Sequence, residues 1–413
     1  MDVSFWKKDK PTIRAVKRQV SPINDEIEKQ PIDRIKESLQ DFASAVLDAE
    51  NPLLPESLKY INLLNLYKNI ELDEHISSLV DSLTFELIQT PFDIIDITGE
   101  KDVEKKKIFE RSWFSNFVRY WVKSKLYPFG AIQFTGIANN SYTGVEWVDE
   151  YHVRPTAGGI AKYDFSEDVF IDFTSQPWRN WVYFAESDKH LGLYSVIAKL
   201  FIMKRDVRQF WAVYNELFTT PYYIVKTDFN NSTHRKSLLD FLTNRKHSGF
   251  GVIDHEDEIS QLLTYTGTGY ASYKDFEDSM NKGMSKAILG QTMTNEDGSS
   301  RSQSEVHERT KNIFINNYLT QLEYCINERI IPMMQSVGLP IDTNYQLRYN
   351  REHSMTPIEW ADVISKLQGY KVDSDDLFEK IGIKAESIDS APAFAEGKVK
   401  AIYEKIKASY GNI

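Results

Sequence analysis

The sequence predicts an α+β protein of more than one packed unit. Helical periodicity runs over residues 55–88, 192–218, 270–289 and 302–330, with apolar side chains at three- to four-residue steps. Between these stretches lie short runs that alternate or stay apolar between Gly and Asn punctuation, the pattern of strands. At 413 residues the chain exceeds the usual size of one domain, so two or three units are expected.

Composition narrows the classes. Hydrophobic residues at 41% and aromatics at 13% suffice for a real core and argue against overall disorder. The net charge is −11, from 60 acidic and 49 basic side chains, without the basic stripe that a nucleic-acid binder uses to displace phosphate counterions. Any DNA nearby is not gripped tightly. Cys325 is the single cysteine, which excludes an intrachain disulfide and a thiolate metal cluster. The start, "MDVSFWKKDKP", lacks the apolar core of a signal peptide. The apolar stretch Leu191 to Met203 is broken by lysine and too short for a bilayer, so a soluble intracellular product without a membrane partner is expected.

Taken in order, residues 1–50 read as an arm, with prolines at 11, 22 and 31 interrupting regularity. It is either a loosely held terminus or a segment that reaches a neighbouring subunit. From Pro55 to Ile88, Leu58, Ile61, Leu64, Tyr67 and Ile70, then Ile76, Leu79, Leu83 and Leu87, mark helices. "WFSNFVRYWV" carries aromatics at core spacing. Strands follow in "AIQFTGI", "GVEWVDEYHV" and "VFIDF". Residues 192–218 form the most hydrophobic helix, apolar on both faces, and so a buried element or one sandwiched between subunits. Thr219, Thr220 and Pro221 end it before the strand "PYYIVKTD".

A short helix is expected over 233–246, then two strands around an acidic turn at His255, Glu256, Asp257 and Glu258. The next helix, from about Tyr270 to Leu289, aligns Tyr273, Phe276, Met280, Met284 and Ile288 on one stripe. After a polar run, Ser302 and Glu305 make a capping box for a long helix that Pro332 stops, roughly 28 residues or about 42 Å. Thr356, Pro357 and Glu359 start a small, charged, helical tail.

The search for chemistry finds none. "GTGYAS" lacks the Lys-Ser/Thr of a phosphate loop and reads better as a turn. "DHEDE" offers metal-type donors without EF-hand spacing and reads better as a solvated hairpin tip. His307 has no second histidine at i+4, and no nucleophile elbow appears. A glycosidase would need two carboxylates facing each other across an aromatic cleft. No acidic pair stands out in such a context, and core packing is the default account of the aromatics. No catalytic residue, metal or cofactor is expected.

One stretch is specific. "ILGQTMTNEDGSSRSQSEVHERTK", residues 288–311, resembles the signature of the Mu-like bacteriophage portal proteins. There an Ile/Leu-Leu-Gly-Gln-Thr-Leu-Thr run enters a Gly/Ser-rich segment and then a helix beginning near Glu-Val-His. "FWAVYNELFTTPYYIVK" resembles that family's Trp-containing helix, Phe-Gly-x-Pro and strand, and "ISKLQGYKVDSDDLFEKIGI" resembles its closing pattern. Thr219 and Thr220 depart from the glycine usual before the proline, and residues 1–50 have no counterpart. The resemblance spans roughly residues 55–385.

The resemblance implies a portal fold of wing, two-helix stem, small β clip, long wing helix and small helical crown, assembling into a ring. The expected division is an arm over 1–50, wing over 51–232 and stem–clip–stem over 233–289. Tunnel loop and long wing helix would follow over 290–345, and a crown-like region over 346–413. The implied work is passage of double-stranded DNA, held non-specifically, during packaging and ejection at one capsid vertex. Implied partners are further copies in a dodecameric ring, the terminase large subunit, the major capsid protein and scaffold, and the head–tail connector.

The tunnel loop would expose Gln291, Thr292, Thr294, Asn295, Ser299 and Ser300 to the DNA, Glu296 and Asp297 would repel it, and Arg301 would pair within the protein. Such a collar hydrates against phosphate without gripping it. Lys282 and Lys286 would face the lumen or simply coat a solvated helix. The turn at 255–258 would be the clip tip that docks terminase. A monomeric carbohydrate-active hydrolase and a scaffolding protein built on long helices are the other readings.

Overall fold

The computed structural model describes residues 38–162, 169–219, 223–227, 250–254, 269–290 and 301–351, with single positions at 233, 236, 237 and 240. The chain divides into two compact units, Met1–Asn350 and Arg351–Ile413. Every element described belongs to the first.

The body begins earlier than the arm expected over 1–50. Ser38 accepts from Asp41 N at 3.2 Å while the Asp41 carboxylate accepts from Ser38 N at 2.8 Å, a capping box that starts α1 (Leu39–Glu50). Phe42, Ala45 and Ala49 bury the inner face of that helix. The helices α2 (Glu56–Lys59), α3 (Ile61–Ile70) and α4 (Glu74–Gln89) follow the predicted apolar steps. Leu64, Tyr67, Ile70, Ile76, Leu83 and Leu87 are all buried, and Leu58 on the single-turn α2 is exposed.

After β1 (Phe92–Ile95) and α5 (Val103–Phe109) comes α6 (Ser112–Leu126). Its aromatic run is core: Trp113, Phe114, Phe117 and Trp121 are buried. They lie over a hairpin of β2 (Phe129–Ala138) and β3 (Ser141–Val148). Asn139 and Asn140 turn that hairpin with φ of 50° and 60°, the positive pair a two-residue type I′ turn requires. The short strands β4 (Val153–Arg154), β5 (Gly159–Ala161) and β6 (Val169–Asp172) make a second antiparallel sheet. The strand β7 (Val182–Glu186) returns to β2, giving the order β3-β2-β7. Phe129, Ala131, Val148, Val153, Ile160 and Val182 fill a small core of their own.

The long helix α7 (Leu193–Thr219) buries one stripe of its first half rather than both faces, and Val196 opposite is 49% exposed. Leu193, Tyr194, Ile197, Ala198, Phe201 and Ile202 are buried, whereas Phe210 and Val213 are exposed. Tyr67, Tyr127 and Tyr194 meet edge to face, with centroids 5.4–5.7 Å apart, beneath the start of this helix. Beyond it, β8 (Tyr223–Thr227) pairs in parallel with β9 (Phe250–Asp254). A parallel pair needs a crossover, and Thr233, Lys236, Ser237 and Asp240 within the connection are helical. The ladder crosses the boundary expected at residue 232. The acidic turn at 255–258 and the strand expected after it lie outside the described residues.

The chain continues into α8 (Gly269–Leu289) and then α9 (Arg301–Cys325). Pro332 does not stop α9. A π-helical turn, Ile326–Ile330, leads into α10 (Ile331–Ser336) with the proline in its first turn. The wider turn relieves the clash that a proline ring makes with an ordinary helical carbonyl. Gly338, at φ 83°, ends the run, and Leu339 N donates to Met334 O at 3.0 Å as in a Schellman cap. The strand β10 (Gln346–Tyr349) pairs with β1, so the boundary expected at 346 falls inside the body. The tail helices expected after it lie outside the described residues.

Gly192 tests the packing around α7. Its φ is +77°, and a Cβ there would sit 2.3 Å from Leu126 O and 2.4 Å from the Tyr127 carbonyl carbon. Gly192→Ala is expected to cost about 2–4 kcal/mol by urea denaturation. Gly99→Ala, at φ +88° in open space, should cost about 1 kcal/mol.

Candidate functional site

The described residues nearest in sequence to the predicted site positions belong to a pair of helices, α7 and α8, and to α9. α7 and α8 run antiparallel: Leu200 packs at Gly283, Arg208 bonds Glu277, and the Tyr214 and Tyr273 rings lie 5.6 Å apart. The helix expected over 233–246 as a partner of α8 lies almost wholly outside the described residues. Among the described residues that partner is α7. Gly283 makes the approach possible, since a Cβ there would stand 2.8 Å from Leu200 Cδ1.

The pair is fastened to α4 by charge. Lys204 is 1% exposed, and its Nζ lies 2.8 Å from the Asp73 carboxylate. Asp73 also caps α4, accepting from His75 N and Ile76 N at 3.1 Å each. Next to it, Arg208 pairs with both Glu74 and Glu277, linking α4, α7 and α8. The Arg208 hydrogen bond holds the Glu74 carboxyl down to about 2. His75 Nε2 lies 3.0 Å from Asn281 O and 2.9 Å from Ser285 Oγ. Burial lowers the imidazole pKa, which favours the neutral ring with its Nε2 proton directed at α8.

The polar loop is anchored at both described ends. Gly290 closes α8 at φ +72°, its N–H donating to Lys286 O at 3.1 Å. Phe314 of α9 packs against it so closely that a Cβ would meet the ring at 2.2 Å. On α9, Lys311 pairs with Glu86 of α4, and Ile315 is buried. Gln291, Thr292, Thr294, Asn295, Glu296, Asp297, Ser299 and Ser300 lie outside the described residues, as do His255, Glu256, Asp257 and Glu258. Arg301 is the first residue of α9, one residue ahead of the expected cap Ser302. Lys282 and Lys286 are exposed on α8, while Met284, Ile288 and Leu289 on its other side are buried.

Elsewhere a cleft of about 810 Å³ opens between β7 and the π-helical turn, lined by Arg179, Asn180, Val182, Phe184, Glu328 and Arg329 among others. Among the described residues Glu328 is the sole carboxylate in its lining, so they do not supply the carboxylate pair of a glycosidase there. Cys325 is buried, and burial pushes its thiol up to about 12, the behaviour of an inert core cysteine. Sequence reasoning missed Lys204, Asp73 and Arg208. Only the Asp73 cap had a legible signal, an aspartate just before an apolar-periodic run.

The model for the family described as the portal protein of Mu bacteriophage matches residues 64–383. The chain belongs to that family. The portal family is structural rather than enzymatic. No curated protein matches the chain. Among solved structures, a chain in the virion of a native gene transfer agent particle is similar at 10% identity and TM-score 0.45, over 84% of this chain and 100% of that one. A chain in the neck of an empty gene transfer agent particle is similar at 10% identity and TM-score 0.42, over 85% and 96%. At such scores these likenesses carry no argument about this portal protein's partners. Within the described residues, no helix is long and apolar enough to cross a membrane.

The clamp yields an acid prediction. Glu74 has a folded pKa below its usual value of 4.5, so its contribution is present above that value and is lost as pH falls towards about 2. His75 is also lowered, so the folded state loses stability as pH falls below the usual 6.5. His75→Gln should remove the higher-pH step in a melting-temperature profile and leave the lower one. Lys204→Ala, which leaves Asp73 buried without its cation, should cost about 3–5 kcal/mol at neutral pH.

Proposed function

We propose that this portal protein forms a ring at one capsid vertex, through which double-stranded DNA enters during packaging and leaves during ejection. Family membership over residues 64–383 carries the proposal. α7 and α8 are the two stem helices, and residues 220–268 between them, including β8 and β9, are the clip. The loop 291–300 is the collar around the DNA, and α9 is the long helix crossing the wing.

The chemistry of the segment fits passage rather than grip. A channel that translocates DNA must not hold it, and every cation that neutralises a phosphate adds salt-dependent affinity. The loop offers neutral polar groups together with Glu296 and Asp297, and Arg301 begins the helix behind it. Anchoring at Gly290 and Phe314 keeps the collar's base on rigid elements. The acidic tip, His255 to Glu258, is the docking surface for the terminase large subunit and afterwards for the connector. The wing faces the major capsid protein and scaffold. ATP hydrolysis belongs to the motor, and no cofactor is needed here.

Light scattering and negative-stain images test the assembly. A ring of about a dozen copies with a central hole is the expected result, and a species that stays at 47.9 kDa in the presence of capsid and scaffold protein would count against it. Lys282→Gln with Lys286→Gln tests the lumen. If these lysines face the DNA, the double variant should assemble normally but change packaging rate or retention of the packaged genome. Unchanged packaging and ejection would return them to the solvated surface.

A further inference from the structure

Two sheet edges lie beside α9 and its continuation, and among the described residues only one of them is closed. β10 pairs with β1 on one side. On its other side Leu347 exchanges two hydrogen bonds with the Asn327 side-chain amide, at 3.0 and 2.8 Å, and Tyr349 N donates to Glu323 Oε1 at 2.7 Å. Side chains from the helix therefore cover an edge that could otherwise template another strand.

Among the described residues β7 is an edge as well, since its one ladder there is with β2. Phe134 N donates to Trp181 O and Ser187 N to Pro128 O, so the hydrogen-bonded positions along β7 are 181, 183, 185 and 187. The N–H and C=O of Val182 and Phe184 consequently point away from β2. Among the described residues no hydrogen bond takes them up. α6 lies against this sheet, and Val182 and Phe184 pack into the small core shared with the second sheet. The open direction is sideways, into the cleft whose lining includes Glu328, Arg329 and Met333. Its volume, about 810 Å³, is that of sites which enclose a ligand.

Charge selects the guest. Arg179 and Arg329 stand at the cleft against the single carboxylate of Glu328. Glu328 and Arg329 both lie on the π-helical turn, a local departure that recurs at functional sites. We infer that the cleft receives an extended polypeptide strand from a partner chain, bearing acidic side chains, which adds to the free edge of β7. Its backbone pairs with Val182 and Phe184, and its carboxylates lie near Arg179 and Arg329. Main-chain bonds supply the affinity and the arginines supply the sign of the preference. The inference stands on this edge and cleft alone and does not use the channel proposal.

The test uses the full chain and a synthetic heptapeptide alternating valine and aspartate. A valine–lysine peptide and a proline-interrupted valine–aspartate peptide serve as comparisons. The first peptide should slow amide exchange at Val182 and Phe184, and the proline-interrupted one should not. The lysine peptide should bind about tenfold more weakly. In Arg179→Glu with Arg329→Glu, both exposed side chains, the order of the aspartate and lysine peptides should reverse. Equal binding of the proline-interrupted peptide, or no protection at either amide with any peptide, would overturn the inference. Full protection before any peptide is added would also overturn it, by showing that this chain or a second copy fills the edge. The wild-type exchange pattern is decisive whether or not the double variant folds.

Discussion

A lysine held out of water at the middle of α7 is the constraint on which the arrangement of helices rests. Lys204 is 1% exposed and faces Asp73, and Asp73 is itself held by the first turn of α4. A buried ion pair of this kind adds little net stability, because desolvation offsets most of the attraction. Its geometry is nevertheless demanding: without Asp73, Lys204 would keep only Glu74 at 3.4 Å, and without Lys204, Asp73 would keep only the backbone N–H groups of α4. The start of α4 and the middle of α7 therefore come together in one way. Glu74, Arg208 and Glu277 extend the same tie to α8 on the exposed side of the joint, where solvent weakens each pair.

The second organising element is the run from Arg301 to Ser336, about 50 Å of nearly continuous helix. It meets α4 through Lys311 and Glu86, closes the β10 edge with Glu323 and Asn327, and reaches the β7 cleft with its π-helical turn. An ordinary helix of this length would present its side chains with one drift of phase from end to end. The π turn, which itself carries Asn327, resets that phase between Glu323 and the stretch that carries Pro332. Insertion of one residue into the helical repeat also removes the conflict between the proline and continuity of the helix.

Much of this body was legible from side-chain spacing. The aromatic run in α6, the apolar steps in α3 and α4, the stripe ending in Met284 and Ile288, and most strand segments follow from periodicity, because one buried face repeats at a fixed interval. The failures have physical reasons too. α1 was hidden because its buried face is mostly alanine, and its capping box uses aspartate instead of glutamate. Pro332 misled because a π turn leaves no mark in spacing that a proline rule would notice. The packing of α7 on α8 is a tertiary fact across residues 220–268, and side-chain spacing does not encode it. Lys204 lies just past the apolar stretch Leu191 to Met203, and its burial against Asp73 is a tertiary fact that spacing does not show. The polar loop and the acidic turn were picked out by composition and family resemblance, and neither cue says which way their side chains face.

The position of the polar loop and its composition have separate causes. Its beginning is set by Gly290, whose left-handed backbone and contact with Phe314 leave no room for a side chain. Its end is set by α9, held to α4 by Lys311 and to the core by Ile315, Leu319 and Leu322. Those contacts account for where the chain leaves and rejoins the body. They place no demand on the ten residues between, which a fold could satisfy with a short turn. A connection between two helices in a compact body commonly needs only two to eight residues. On the channel proposal, the hydroxyl and amide character of residues 291–300 answers to what they meet outside their own body. A polyanion moving past many copies of one surface is a partner for which weak, hydrated contact is an advantage.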